Sequence, residues 1–114
     1  MINRCFLQGQ IYWVSLEPVI GTEILKKRPC LIISNNIFNK YFSRVIIVPC
    51  SLNIKNIYEP AQFKIVFNDK IMKLLFDQIR SVDKSRLLEY YFSVDNLVLK
   101  HFSTNIYPWL FKTS

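Results

Sequence analysis

The sequence has little of what enzymes commonly use to bind metals or to activate a nucleophile. Its 114 residues contain one histidine, His101, and three cysteines, Cys5, Cys30 and Cys50, without a C-x-x-C pair. Zinc sites need clusters of such ligands, so we expect no metal site and interpret His101 as a surface or boundary residue. The sequence also has no H-E-x-x-H, G-x-S-x-G or P-loop motif, which excludes the most familiar hydrolase mechanisms.

Segments that would place the chain in a membrane or outside the cell are also missing. The longest apolar runs, such as residues 30–33 and 45–48, are far shorter than the ~20 residues that span a bilayer. The N-terminus lacks the apolar core and small-residue cleavage site of a secretory signal. An odd number of cysteines suits reduced thiols better than a disulfide framework. We therefore expect a cytoplasmic protein without a membrane span.

Positive charge is what the chain has in excess. Fifteen lysines and arginines against eight acidic residues give a formal net charge of +7. Such a surface attracts polyanions by releasing their counterions, which favours RNA or DNA as a partner. Charge alone leaves the question open, because a basic surface also serves simply to keep a protein in solution.

Alternating apolar residues predict a small, mainly β fold in a single domain, residues 1–114. We predict strands over five segments: residues 10–16, 30–34, 44–48, 62–67 and 72–79. We expect about one helical turn around Ile37 and a short helix over residues 81–87. A final amphipathic helix, capped by Ser93 and ended by Pro108, would cover the core of a β-barrel.

Polar residues at the predicted strand ends are the candidates for chemistry. Arg28 precedes the second strand, Ser51 follows the third, and Asp77, Gln78 and Arg80 lie in or beside the fifth. Taken on their own, these residues could equally serve only to satisfy hydrogen bonds at the ends of strands.

Five strings give the chain a resemblance to a known family. They begin at Gly9 (G-Q-I-Y-W-V), Glu17 (E-P-V-I-G-T-E), Lys27 (K-R-P-C-L-I-I-S-N), Val48 (V-P-C-S) and Asp77 (D-Q-I-R-S-V-D-K-S-R-L). In these strings, and in their order and spacing, the sequence resembles the MazF/PemK toxins of type II toxin–antitoxin systems. The resemblance covers most of the chain.

The resemblance implies an SH3-like β-barrel of the MazF/PemK/CcdB type, with a C-terminal helix, that forms a homodimer. It implies a sequence-specific endoribonuclease that cleaves single-stranded RNA (mRNA) without a metal or other cofactor. In that chemistry the 2′-hydroxyl of the RNA attacks the phosphate and leaves a cyclic phosphate and a 5′-hydroxyl, so DNA is inert. The resemblance further implies an acidic antitoxin protein as partner, and binding of operator DNA only together with that antitoxin.

The resemblance assigns Arg28 and Ser51 as the catalytic residues. A guanidinium keeps its proton and is a poor base, so we expect Arg28 to stabilise the charged phosphate of the transition state. Ser51 stands where the family has threonine, and it keeps the hydroxyl that could donate to the phosphate or relay a proton. We expect Gln78 and Arg80 to orient these groups or to contact RNA, and Asp77 to pair with an arginine.

The segment over residues 17–27 corresponds to a mobile loop beside the RNA groove of the family. Lys26 and Lys27 would neutralise the RNA backbone there, and Glu23 would pair with one of them, although an ordinary solvated loop explains these residues almost as well. Asn35 could hydrogen-bond to base edges or simply form a turn.

Two other hypotheses stay open. A CcdB-like toxin of the same fold would poison DNA gyrase by protein contact, but CcdB chains end in Trp-Gly-Ile, whereas this chain ends in L-F-K-T-S. A family member that has lost cleavage would only bind RNA or a partner. The serine at position 51 in place of threonine keeps this second hypothesis open.

Overall fold

Seven antiparallel strands form one curled sheet in the computed structural model, which describes residues 4–16 and 27–113. The strands are β1 (Gln10–Ser15), β2 (Lys27–Ile32), β3 (Arg44–Ser51), β4 (Gln62–Phe67), β5 (Lys70–Leu75), β6 (Arg80–Asp83) and β7 (Leu87–Ser93). Across the sheet the order is β4-β5-β3-β2-β1-β7, and β6 also pairs with β3. The prediction of a mainly β fold is confirmed.

Strand β3 organises the sheet because three other strands pair with it. Along one edge, residues 47–49 pair with residues 30–32 of β2. Along the other edge, β3 pairs first with β6 and then, from Cys50 onward, with β5. Pro49 lies where β3 changes from one partner to the other, so its missing N–H removes no hydrogen bond to either of those two strands.

Alternation of side chains along the strands gives the sheet two faces. Leu31 and Val48 lie on the face that packs against Ile106 of the C-terminal helical segment, and we call this the helix face. Cys30 and Ile47 lie on the other, which we call the Cys30 face. The other buried members of the cluster on the Cys30 face are Phe6, Tyr12, Val14, Ile32, Val45, Val82 and Leu87.

Helix α1 (Asn36–Tyr41) confirms the helical turn predicted around Ile37. Its N-cap is Asn35, whose Oδ1 accepts a hydrogen bond from a backbone N–H of the first turn at 2.8 Å. Asn39 is only 2% exposed, and its Nδ2 donates to the carbonyl oxygen of Ser34 at 2.9 Å. The Oγ of Ser34 in turn accepts the backbone N–H of Ile46 at 3.0 Å, so buried hydrogen bonds tie α1 to β3.

The C-terminal helical segment is present as predicted, but its ends differ from the prediction. It consists of α2 (Asn96–His101), a π-helical turn (Phe102–Ile106) and α3 (Tyr107–Leu110). Its N-cap is Asp95, not Ser93, because Ser93 still belongs to β7. Pro108 does not end the helical segment, since it stands in the first turn of α3 and the helix continues to Leu110.

The segment between β5 and β7 corrects two further predictions. The strand predicted over residues 72–79 ends early, because Phe76–Gln78 form a 3-10 turn before β6 begins. The helix predicted over residues 81–87 is wrong, because residues 80–83 pair with β3 and only Lys84–Arg86 form a 3-10 turn. Strand β7, which was not predicted, then pairs with β1. In these places strand pairing outweighs the local sequence pattern.

Candidate active site

Arg28 and Ser51 lie level with each other on neighbouring strands. Arg28 is the second residue of β2 and Ser51 is the last residue of β3, so both belong to strands that are longer than predicted. Cys30 pairs with Pro49, and continuing this register by two residues brings Arg28 opposite Ser51. Residues opposite each other in antiparallel strands have Cβ atoms about 5 Å apart and point to the same face. Both side chains therefore lie on the Cys30 face.

Arg80 brings a second guanidinium to the Cys30 face. It begins β6 and pairs with Ile47 of β3, whose side chain belongs to that face. Burial raises the pKa of the Cys30 thiol to about 12, and the charges of Arg28 and Arg80 oppose this rise. Both guanidinium groups therefore act on the surroundings of one buried thiol. Because that thiol keeps its proton near neutral pH, thiolate chemistry at Cys30 is excluded.

The hydroxyl of Ser51 is oriented by the turn that follows it. Its Oγ accepts the backbone N–H of Asn53 at 3.1 Å, and the Oδ1 of Asn53 accepts the backbone N–H of Lys55 at 3.1 Å. Such turns hold a side-chain oxygen in place while leaving the O–H proton free to point elsewhere. The half-buried Ser51 hydroxyl is thus suited to donate a hydrogen bond to a phosphate oxygen.

Lys73 is a residue of this region that the sequence did not single out. It pairs with Ser51 across β5 and β3, so it shares the Cys30 face with Ser51 and Arg28. Its side chain is buried at 8% exposure, and its Nζ donates to the carbonyl oxygen of Lys55 at 3.2 Å. The available signal was a single charged residue inside the otherwise apolar run of residues 71–76.

Lys27 does not lie with the catalytic candidates. It neighbours Arg28 on β2 and therefore points to the opposite side of the sheet. Its Nζ forms an ion pair with Glu89 Oε1 at 2.5 Å and lies 5.2 Å from the centre of the Trp13 ring. A carboxylate of the same chain thus partners Lys27, and the contact of Lys27 with an RNA backbone stays a prediction. Glu23 and Lys26 lie outside the described residues.

Three other predicted site residues have exposed positions in turns or caps. Asn35 is the N-cap of α1 and follows the end of β2, whereas Arg28 lies at the start of that strand, so the length of β2 separates the two residues. Asp77 and Gln78 lie in the exposed 3-10 turn before Arg80. The expected ion pair of Asp77 with an arginine is absent from the part of the chain that the structure describes.

Neither a metal-binding group of side chains nor a membrane-spanning helix is found in the described ranges 4–16 and 27–113. There, no three histidine, cysteine, aspartate or glutamate side chains come together in a group that could hold a metal ion. Of the helices in these ranges, none is both long and apolar enough to cross a bilayer.

His101 stacks on Phe63 at 4.3 Å, and its Nδ1 lies 3.0 Å from the amide nitrogen of Asn105.

Comparison with known proteins places this curled sheet and basic site in a class of small toxins. Residues 7–108 match the family described as PemK-like, MazF-like toxin of type II toxin-antitoxin system. The chain belongs to this family.

Its curated relatives include Endoribonuclease MazF of Staphylococcus saprophyticus, 36% identical over 86 residues, with 72% of each chain covered. Endoribonuclease EndoA of Bacillus subtilis is 30% identical over 86 residues, which cover 72% of this chain and 74% of that one.

Solved structures share the fold at lower identity. A MazE–MazF complex from Deinococcus radiodurans is 22% identical, with a TM-score of 0.78, and the match covers 97% of this chain and 100% of that one. An endoribonuclease in complex with its cognate antitoxin, from a mycobacterial species, is 23% identical, with a TM-score of 0.67 and coverage of 90% and 89%. These similarities confirm the expected fold.

Proposed function

We propose that this toxin is an endoribonuclease that cleaves single-stranded RNA through attack by the 2′-hydroxyl of the RNA itself, without a metal ion. The observation that supports this most directly is the position of Arg28 opposite Ser51 on one face of the sheet. Relatives that are at least 30% identical are named endoribonucleases, which supports the same activity.

In the proposed reaction, a bond forms between the 2′-oxygen and phosphorus while the bond from phosphorus to the 5′-oxygen breaks. Water takes the proton of the 2′-hydroxyl and supplies one to the departing 5′-oxygen, so the products are a cyclic phosphate and a 5′-hydroxyl. Negative charge builds up on the phosphate oxygens during this step. The guanidinium of Arg28 stabilises that charge, and the O–H of Ser51 donates a hydrogen bond to the same phosphate.

Three of the remaining predicted residues, Arg80, Gln78 and Asp77, have supporting roles in this proposal. Arg80 adds positive charge on the Cys30 face, where it helps to hold the RNA backbone. Gln78, in the turn before Arg80, orients these groups or contacts RNA, and Asp77 of the same turn pairs with an arginine when RNA is bound. Glu23 and Lys26 stay predictions, as does the mobile loop to which they belong.

The proposal includes the partners that the family implies. Similar structures include complexes with MazE or a cognate antitoxin, and a net charge of +7 suits an acidic antitoxin protein. We include a homodimer with RNA at its interface, and operator DNA bound only together with the antitoxin. Three free cysteines, Cys5, Cys30 and Cys50, fit the reducing cytoplasm.

One experiment tests the activity and its chemistry together. The purified protein is incubated in EDTA with a long unstructured RNA and, separately, with DNA of the same sequence. We expect RNA fragments whose 5′ ends are labelled by polynucleotide kinase without prior phosphatase treatment, and intact DNA. The Arg28→Ala protein, purified in parallel, controls for contaminating ribonucleases. Intact RNA would instead support a family member that only binds its partners.

A further inference from the structure

Lys73, Ser51 and Arg28 form one row across three neighbouring strands. Ser51 of β3 pairs with Lys73 of β5 on one side, and the β2–β3 register brings Arg28 opposite Ser51 on the other. Because directly opposite residues point the same way, all three side chains lie on the Cys30 face. Strands lie about 4.8 Å apart, so the two cationic residues start roughly 10 Å from each other with the hydroxyl between them.

Burial makes Lys73 unusual among the lysines within residues 27–113. Lysine is almost never buried without a partner of opposite charge, because removing an ammonium from water is costly. Lys73 is 8% exposed, yet within residues 4–16 and 27–113 the single ion pair is that of Lys27 with Glu89. A lysine ammonium has three N–H donors, and the one contact of Lys73 is the carbonyl oxygen of Lys55. Donors remain for an anion that comes from outside.

Hydrogen bonds link the Lys73 ammonium to the Ser51 hydroxyl. The Nζ of Lys73 donates to the carbonyl oxygen of Lys55 at 3.2 Å. The backbone N–H of Lys55 donates to Asn53 Oδ1, and the backbone N–H of Asn53 donates to Ser51 Oγ, both at 3.1 Å. The turn that orients the hydroxyl therefore also holds the ammonium, and both are placed by the same five residues of chain.

We propose that Lys73 is a third catalytic residue, which binds the scissile phosphate from the side of Ser51 opposite to Arg28. Its ammonium donates hydrogen bonds to a non-bridging phosphate oxygen and stabilises the charge that grows there during 2′-hydroxyl attack. No proton or covalent bond is exchanged with Lys73. This inference rests on the proposed function, since it assigns a further residue to the same site.

The first test measures single-turnover cleavage of RNA by Lys73→Met and Lys73→Arg, with Lys70→Met as the matched control. Lys70 is exposed at the start of β5 and points to the other side of the sheet, so its substitution removes the same charge elsewhere. We expect about a 100-fold loss for Lys73→Met, partial rescue in Lys73→Arg, and no change for Lys70→Met. Methionine matches the length of lysine, and thermal unfolding checks that the variants fold.

The second test separates phosphate contact from a role in holding the turn. Binding of 2′-O-methyl RNA, which lacks the nucleophile, is measured against salt concentration. Loss of one phosphate contact on a single strand lowers the slope of log K against log salt by about 0.7, which we expect for Lys73→Met but not for Lys70→Met. An unchanged slope overturns the inference, even if cleavage falls.

The outcomes also distinguish this inference from the proposed function. Wild-type cleavage with equal rates in both methionine variants overturns the role of Lys73 and leaves the endoribonuclease intact. Should the wild-type protein leave RNA uncut, the proposed function fails, and the salt slope still decides whether Lys73 contacts a phosphate.

Discussion

Arg28 and Ser51 each lie two residues beyond the Cys30–Pro49 pair of β2 and β3, so the register of these strands places the two side chains opposite each other on one side of the sheet. The guanidinium of Arg28 is positively charged, and the hydroxyl of Ser51 is neutral. The Ser51 oxygen accepts a hydrogen bond from the backbone N–H of Asn53. Neither group is a strong base, and burial raises the pKa of the Cys30 thiol on the same face. The pair is therefore suited to stabilising a charged phosphate rather than to supplying a nucleophile.

Replacement of Arg28 by alanine should remove transition-state stabilisation while leaving the fold unchanged. Arg28 is exposed and no hydrogen bond or ion pair of its guanidinium is among the contacts of the described residues. We expect cleavage to fall by about 10²- to 10³-fold in single-turnover assays, with a melting temperature close to that of the wild type. Arg28→Lys keeps the charge but loses the bidentate geometry, so its cleavage rate should lie between those of the wild type and Arg28→Ala. If Arg28→Ala cleaves RNA at the wild-type rate, Arg28 is not a catalytic residue.

Substitutions of Ser51 test the importance of the hydroxyl. Ser51→Ala removes both the donor to the phosphate and the acceptor of the Asn53 N–H, so we expect about a 10- to 100-fold loss of cleavage. Ser51→Thr restores the residue found in the family and restricts the rotamer, so its rate should equal or exceed the wild-type rate. If Ser51→Ala cleaves as fast as Ser51→Thr, the hydroxyl has no part in the reaction.

The buried polar pair under α1 predicts a change in stability. Asn39→Ala leaves the carbonyl oxygen of Ser34 without its buried donor, which should lower the free energy of unfolding by about 1–3 kcal/mol in urea titrations. Asn96→Ala, in the exposed first turn of α2, is the matched control and should change it by less than about 0.5 kcal/mol. Equal effects of the two substitutions would argue against this role of Asn39.

The cysteines predict a loss of stability at high pH. Burial raises the pKa of Cys30 from its ordinary value of 9.0 to about 12, and burial raises the pKa of Cys50 as well. Above pH 9 the cysteines of the unfolded chain lose their protons, while the buried thiols of the folded protein keep theirs. The contribution of Cys30 and Cys50 to the free energy of unfolding therefore falls as the pH rises from about 9 towards 12. Urea titrations between pH 8 and 10.5 should show a declining free energy of unfolding.

Thiol titration checks the same burial independently. Only Cys5 is exposed, so a thiol reagent should modify one cysteine in the folded protein and three after unfolding. Cys5→Ser should reduce the folded count to zero without changing the pH dependence of stability. Rapid modification of two or three thiols in the folded wild type would contradict the buried positions of Cys30 and Cys50.

The sequence was informative where a local pattern agreed with strand pairing. Residues 62–67 alternate clearly and form β4 with the predicted bounds. The assignment of Arg28 and Ser51 as catalytic residues stays a prediction that rests on the family resemblance. By contrast, Arg80–Asp83 and β7 become strands because β3 and β1 pair with them, which no local pattern records. Propensity is a weak guide where tertiary contacts decide.

Strand register decides which of the predicted site residues share a face of the sheet. Lys27 and Arg28 are adjacent in the sequence, but alternation sends their side chains to opposite faces, and of the two only Arg28 shares the face of Ser51. Lys73 was not identified because its position opposite Ser51 depends on the pairing of β3 with β5. Neither fact could be predicted without knowing which strands are neighbours.

Cooperation between Arg28 and Ser51 on one phosphodiester is measured by single-turnover cleavage in the wild type, Arg28→Ala, Ser51→Ala and the double variant. Residues that act as a unit on one transition state show strongly non-additive losses. We predict that the double variant is slower than Arg28→Ala by no more than about 3-fold, because removal of either group already disrupts the shared phosphate contact. Losses that multiply, so that the double variant shows the full product of the two single effects, would mean that Arg28 and Ser51 act independently.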